Sequence, residues 1–339
     1  NPVAPNLGKS TDALASYRKA LALIEPLCSP PGQNRRAELL RARLWVNLGS
    51  MRTFAFATEA EGVETVRRAV KELDRLQTAA PGDRALLIES ASAKQILARL
   101  LSQTGGWVTG AVAPEAEAQI LRSREMFLSI PPAQRDITVL KHLAQNHTIH
   151  GGVRERSDPH SALDNSTKAL EYYSQMTETD REIPEIRRLR ASTLLTRGWG
   201  RGQVSDFAGA IQDLEAGRDI LNAISAADPK NMAAIYHCTQ AYRSLGIVHG
   251  YAKNREAAIA NYKQSVILFD RLIKGEPSNS LHPVHRAEAL TRIGDLLALT
   301  GRMPEALPAA REGLAHMVKE AERPGASDSQ LMEASRWLM

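Results

Sequence analysis

YRSLG at 242–246 and AAIANYKQS at 257–265 decide how the whole 339-residue chain is read. Gly246 in the first stretch and Ala258, Tyr262 and Ser265 in the second have counterparts 48 residues away on both sides. Gly198, Ala210, Leu214 and Gly217 stand 48 earlier, and Gly294, Ala306, Ala310 and Gly313 stand 48 later. Apolar positions keep the same phase: Leu194, Tyr242 and Leu290; Ile211, Ile259 and Leu307; Leu221, Phe269 and Met317. A fixed period of this length marks a stack of similar units.

Upstream the register loosens but continues, through Ala162, Ser166, Ala169 and Tyr173, then Ala116, Ile120 and Ser123. Gly62, Val66 and Ala69 form an earlier copy, preceded by Gly49, and Ala13, Tyr17 and Ala20 the first. Small-residue anchors therefore run 13, 62, 116, 162, 210, 258 and 306. We read residues 1–339 as a single repeat domain of seven units, the first incomplete, closing on a terminal helix at about 327–339.

Each unit carries apolar residues at three- and four-residue steps and no alternating run, which predicts two amphipathic helices and no strand. Gly on one helix facing Ala on the next lets antiparallel axes approach within ~8–10 Å. A lone pair cannot bury its apolar stripe, so stacking builds the core. The spacing predicts helices at 11–27, 34–55, 59–79, 83–104, 115–130, 134–150 and 160–178. It predicts further helices at 183–199, 206–226, 230–252, 255–274, 283–300 and 303–322.

The quoted pair, with LTRIG (290–294), Gly301 and EALPAAREG (305–313), is similar to the tetratricopeptide repeat family. The resemblance implies an all-α fold, a right-handed α-solenoid of antiparallel helix pairs. The unit of 48 residues exceeds that family's usual ~34. The resemblance also implies a concave groove, lined by the first helix of each pair, that receives a protein or peptide. Carried over by phase, the groove candidates are Arg43, Asn47, Trp199, Gln240, Arg243, Tyr251, Glu288, Thr291 and Asp295.

The chemical motifs are incomplete. Gly8-Lys9-Ser10-Thr11 resembles the end of a phosphate loop, but the first Gly of G-x-x-x-x-G-K-[ST] falls on Val3. We read Gly8 as the turn residue in phase with Gly301, and Ser10, Thr11 or Asp12 as the cap of a helix from Ala13. Asp206-Phe207-Ala208-Gly209 resembles a kinase D-F-G with one residue too many, and it falls where the phase starts a helix. Gly198-Trp199-Gly200-Arg201-Gly202 reads as a turn, and the segments Gly105–Pro114 and Gly151–Pro159 as longer loops. His142, His147, His150 and His160 read as scattered, partly exposed histidines rather than metal ligands, and His282 and His285 as part of a turn leading into a helix. Asn146 and Asn165 match glycosylation sequons on predicted helices.

Net charge is +5, with acidic and basic residues interleaved, so no basic stripe points to nucleic acid. No run of 18 apolar residues could span a bilayer. Cys28 and Cys238 lie too far apart in sequence for a cysteine-built zinc site. The start has neither Met nor a signal segment, the pattern of an internal fragment or a processed chain. No catalytic residue, metal or cofactor is assigned, and the sequence leaves the oligomeric state open.

PNLGKSTDALASYRKALALIEPL (5–27), the long-helix repeats and the closing EASRWLM (333–339) together resemble a second group. This is the region C-terminal to the catalytic domain in some bacterial serine/threonine protein kinases. The resemblance implies a non-catalytic regulatory repeat following a kinase domain, on either the cytoplasmic or the periplasmic side of a membrane. A bacterial transcriptional regulator, with an N-terminal DNA-binding domain before similar repeats, is the alternative.

Overall fold

Val63, Val66, Ala69, Val70, Leu73 and Leu76 are all buried, at the three- and four-residue steps of one helical stripe. That stripe belongs to one of fourteen α-helices among the described residues, none of which forms a strand. The computed structural model describes residues 10–56, 59–109, 114–154, 157–277, 279 and 281–322. In order the helices are α1 (Ser10–Ile24), α2 (Arg35–Phe56), α3 (Glu59–Ala79), α4 (Arg84–Thr109), α5 (Pro114–Leu128), α6 (Ile137–Arg154) and α7 (Pro159–Ser174). There follow α8 (Glu178–Arg181), α9 (Pro184–Gln203), α10 (Phe207–Ala227), α11 (Met232–Tyr251), α12 (Arg255–Gly275), α13 (Leu281–Leu299) and α14 (Met303–Ala321). They divide into two compact units, one through Ile186 and one from Arg187.

In the first unit α2 packs on α3, α4 on α5 and α6 on α7. Leu73, Leu86, Leu97 and Leu100 join a core that reaches from Ala42 to Ala116. In the second unit α11 packs on α12 and α13 on α14. Ile259, Tyr262, Ile293, Leu297 and Ala306 fill one layer there, and Ala210, Leu214, Leu245 and Val248 another.

The small residues sit at the helix crossings. A Cβ on Gly49 would stand 2.6 Å from the Gly62 carbonyl oxygen, and one on Gly294 would stand 2.8 Å from Ala310 Cβ. Helix starts are fixed by side-chain caps: Asn34, Asp83, Asp136, Asp158, Asp206 and Asn231 each accept from the amide three residues on. Gly301 turns the chain between α13 and α14 at φ +78°, a conformation open to glycine.

Several expectations are corrected. Helix α9 runs unbroken through Gly198–Gly202, so that stretch is helix and not a turn. Its reason is close approach: a Cβ on Gly198 would lie 2.8 Å from Leu214 Cγ, and one on Gly202 would lie 3.3 Å from Val248. Helix α4 continues to Thr109 and α6 to Arg154, shortening both expected loops. Helix α1 already starts at Ser10, so Thr11 and Asp12 lie in its first turn and do not cap it. The four-residue α8, started by the Thr177 cap, is not anticipated by the period. Gly8, Lys9 and the terminal helix at about 327–339 lie outside the described residues.

Candidate functional site

The first helices of the successive pairs (α2, α4 and α6 in one unit; α11 and α13 in the other) are tied together by ion pairs about one repeat apart. Arg35 Nη2 reaches the capping Asp83 at 2.5 Å, and Arg84 Nη2 reaches the capping Asp136 at 2.8 Å. Each of these aspartates holds a helix start and the preceding unit at once.

Two of the predicted groove residues belong to this system. Arg43 Nη2 donates to Glu89 at 2.6 Å, with both side chains partly exposed. Arg243 grips Glu288 in a fork, Nε to Oε2 at 3.1 Å and Nη2 to Oε1 at 3.0 Å. Glu288 is buried, and burial alone would raise its carboxyl. Arg243 and the nearby His285 instead hold it down to about 2. The structure thus brings two predicted residues, Arg243 and Glu288, against each other.

The remaining candidates divide by exposure. Thr291 is buried and turned toward α14, its hydroxyl donating to the Ala287 carbonyl at 3.0 Å. A Cβ on Gly313 would stand 2.5 Å from that hydroxyl. Asn47, Trp199 and Gln240 are half-buried, and the Trp199 Nε1 and Gln240 Nε2 donors have no acceptor. Tyr251 is 64% exposed at the end of α11, and Asp295 is exposed on α13.

A cavity of about 520 Å³ is lined by residues of α3 and α5 and by Lys94 of α4. The Lys94 ammonium is already held by Asp74 and by Ser90 Oγ. Among the described residues no group of three or more His, Cys, Asp or Glu could hold a metal ion. Both cysteines are buried, and burial pushes the Cys238 thiol up to about 12, away from the thiolate form.

The histidines differ from their sequence reading. His147 and His150 are buried rather than partly exposed, and they join a polar network across α5, α6 and α7. Arg124 lies at its centre, donating to Asn146 Oδ1 at 2.9 Å, His150 Nδ1 at 2.9 Å and Asn165 Oδ1 at 3.2 Å. Asn146 is fully buried, which bars a glycan from that sequon in the folded chain. His282 is also buried, with Nε2 2.9 Å from Glu276 Oε2. Only the three-residue step between His147 and His150 hinted at the network.

No protein-family profile matches the sequence, and no curated protein matches it. Solved structures do. BtubC (BKLC) from P. vanneervenii superposes with a TM-score of 0.59 over 80% of this chain and 97% of that one, at 13% identity. Nro1, whose structure is described as a hypoxic regulator of sterol synthesis and nuclear import adaptor, matches at 12% identity and a TM-score of 0.47. It covers 97% of this chain and 100% of that one. A human IFIT1 dimer with PPP-AAAA matches at 14% identity and a TM-score of 0.38, over 88% of this chain and 68% of that one. At these identities the likeness to BtubC is one of fold, an all-α helical repeat.

Proposed function

We propose that this chain is a non-catalytic interaction module, one continuous repeat domain whose first helices receive a protein or peptide. The observation that carries the reading is Tyr251, an aromatic ring left 64% exposed on the same helix as the acceptor-less Gln240 Nε2. Aromatic rings combine contact area with a low ordering cost, which makes them frequent anchors of an interface. The ion-paired arginines then act differently from free anchors: Arg43 and Arg243 set the spacing of the helices that present the face.

The finer assignment rests on the resemblance of residues 5–27 and 333–339 to repeats that follow bacterial serine/threonine kinase domains. On that reading the module regulates a kinase domain encoded upstream. The alternative, a transcriptional regulator, has a helix-turn-helix pattern upstream instead of H-R-D and D-F-G. Reading the coding sequence ahead of Asn1 separates the two.

The interaction reading is tested by placing a photo-crosslinking residue at Asn47, at Tyr251 and, on the second-helix side, at Lys168 of α7. Crosslinks to a protein partner at Asn47 or at Tyr251, and none at Lys168, are expected. Crosslinks confined to Lys168 overturn the assignment of the binding face.

A further inference from the structure

His150 sits between a cation and an anion that both use its neutral form. Arg124 Nη2 of α5 donates to its Nδ1 at 2.9 Å, which places the ring proton on Nε2, and Nε2 then donates to Glu117 Oε1 at 3.2 Å. Glu117 also takes the guanidinium of Arg154. One turn earlier His147 donates from Nδ1 to Asn165 Oδ1 of α7 at 2.9 Å, the oxygen that Arg124 also uses, and its ring stacks on Tyr172 at 5.6 Å. Arg124 is half-buried, and its acceptors here, Asn146, His150 and Asn165, are neutral.

We propose that this junction is an acid-operated latch, in which protonation of His150 removes an acceptor of Arg124, the added charge on His147 crowds the same guanidinium, and α6 loosens from α5 and α7. The argument is one of donors and acceptors. A protonated imidazole has N–H on both nitrogens, so its Nδ1 can no longer accept from Arg124, whose own charge does not titrate away. Two donors of like charge then face each other across 2.9 Å.

The surrounding charges add to the effect. Arg124 faces the pair from α5, Lys168 from α7, and Arg154 from α6 itself, against the single carboxylate of Glu117. Tyr172 of α7 is the other titratable neighbour. From α4, Ser92 and Gln95 meet α6 at His142, and both are neutral. Burial and the Arg124 charge accordingly hold His147 at about 4 and keep His150 below its ordinary value. The latch is closed at neutral pH.

Hydrogen–deuterium exchange of the full chain, corrected for intrinsic rates, tests this. Between about pH 7 and about pH 3.5, amides of α5, α6 and α7 should lose roughly tenfold more protection than those of α2 and α3. A His147→Gln plus His150→Gln variant keeps an amide oxygen for Arg124 and leaves only His142 to titrate at this junction, so its selective loss should shrink to the part that ring carries. Equal loss across all five helices, or the same selective loss in the variant, overturns the latch. Should the variant fail to fold at neutral pH, the wild-type ring-proton resonances of both histidines decide. Titration in step with the amide loss supports the latch, and titration with no change in α6 protection overturns it.

Discussion

Gly246 of α11 lies directly beneath the ring of Tyr262 of α12, so close that a Cβ would stand 2.9 Å from three ring carbons. The crossing depends on that missing carbon. Gly246→Val should therefore destabilise the second unit by about 1–3 kcal/mol through overpacking. Gly250→Ala on the same helix, where nothing lies within 4 Å, is the control. It should stay within about 0.5 kcal/mol of wild type or gain slightly. Urea denaturation of both variants measures the difference.

Arg243 and Glu288 form a nearly buried pair, with side chains 16% and 7% exposed. Arg243→Ala strands a carboxylate in the interior and should cost about 3–5 kcal/mol. Adding Glu288→Leu should recover much of that loss, because the stranded charge is then gone as well. A double-mutant cycle in urea reads both effects.

Glu288 also makes stability depend on acid. Its carboxyl lies at about 2 in the fold against an ordinary 4.5, so the unfolded chain takes up the proton first. The contribution, on the order of 3 kcal/mol, is fully present above the ordinary value and is lost as pH falls through the folded one. Comparing Glu288→Gln with wild type from neutral pH down to about pH 2 should show the gap closing.

His142 responds in a higher window. Its ring stacks on Phe127 at 5.1 Å with planes 7° apart, and burial holds it at about 4 against an ordinary 6.5. Stability is therefore complete above about pH 6.5 and falls as pH drops toward about pH 4, where the unfolded chain binds the proton more readily. His142→Phe should flatten the part of this slope that belongs to the ring, as thermal melts across the range would show.

Asp206 is the cap of α10, accepting from the Gly209 amide at 3.0 Å. Asp206→Ala should cost about 1 kcal/mol, and Asp206→Asn much less. The comparison in thermal melting isolates the cap from the charge.

Much of this was legible because a period constrains what propensity leaves open. The phase alone placed Asp206 at a helix start and Gly198, Gly246 and Gly294 at crossings, and the structure packs Leu214, Tyr262 and Ala310 against them. The glycine-rich 198–202 misled because local composition reads as a turn, while the helix there is held by partners far along the chain. The partner of Arg243 was missed for a geometric reason. Stepping 48 residues lands on Thr291, but side chains lean toward a helix N-terminus, and the carboxylate that Arg243 meets is Glu288, about one turn earlier. The network around Arg124 joins three helices through neutral amides and imidazoles, groups whose sequence positions carry no periodic mark.

The aspartates that cap one unit while receiving an arginine from the unit before have a consequence for how the chain can change length. Asp83 answers Arg35 and Asp136 answers Arg84, so removing the stretch between equivalent points would set Arg35 opposite Asp136 with the same chemistry. A deletion of any other size would part the arginine from its aspartate and rotate the buried stripe out of line, since a helix face returns only every 3.6 residues. At these two junctions growth and loss are thereby quantised. A whole unit can be dropped here with the arginine–aspartate bond re-formed, and a smaller deletion leaves that helix start without its counter-charge.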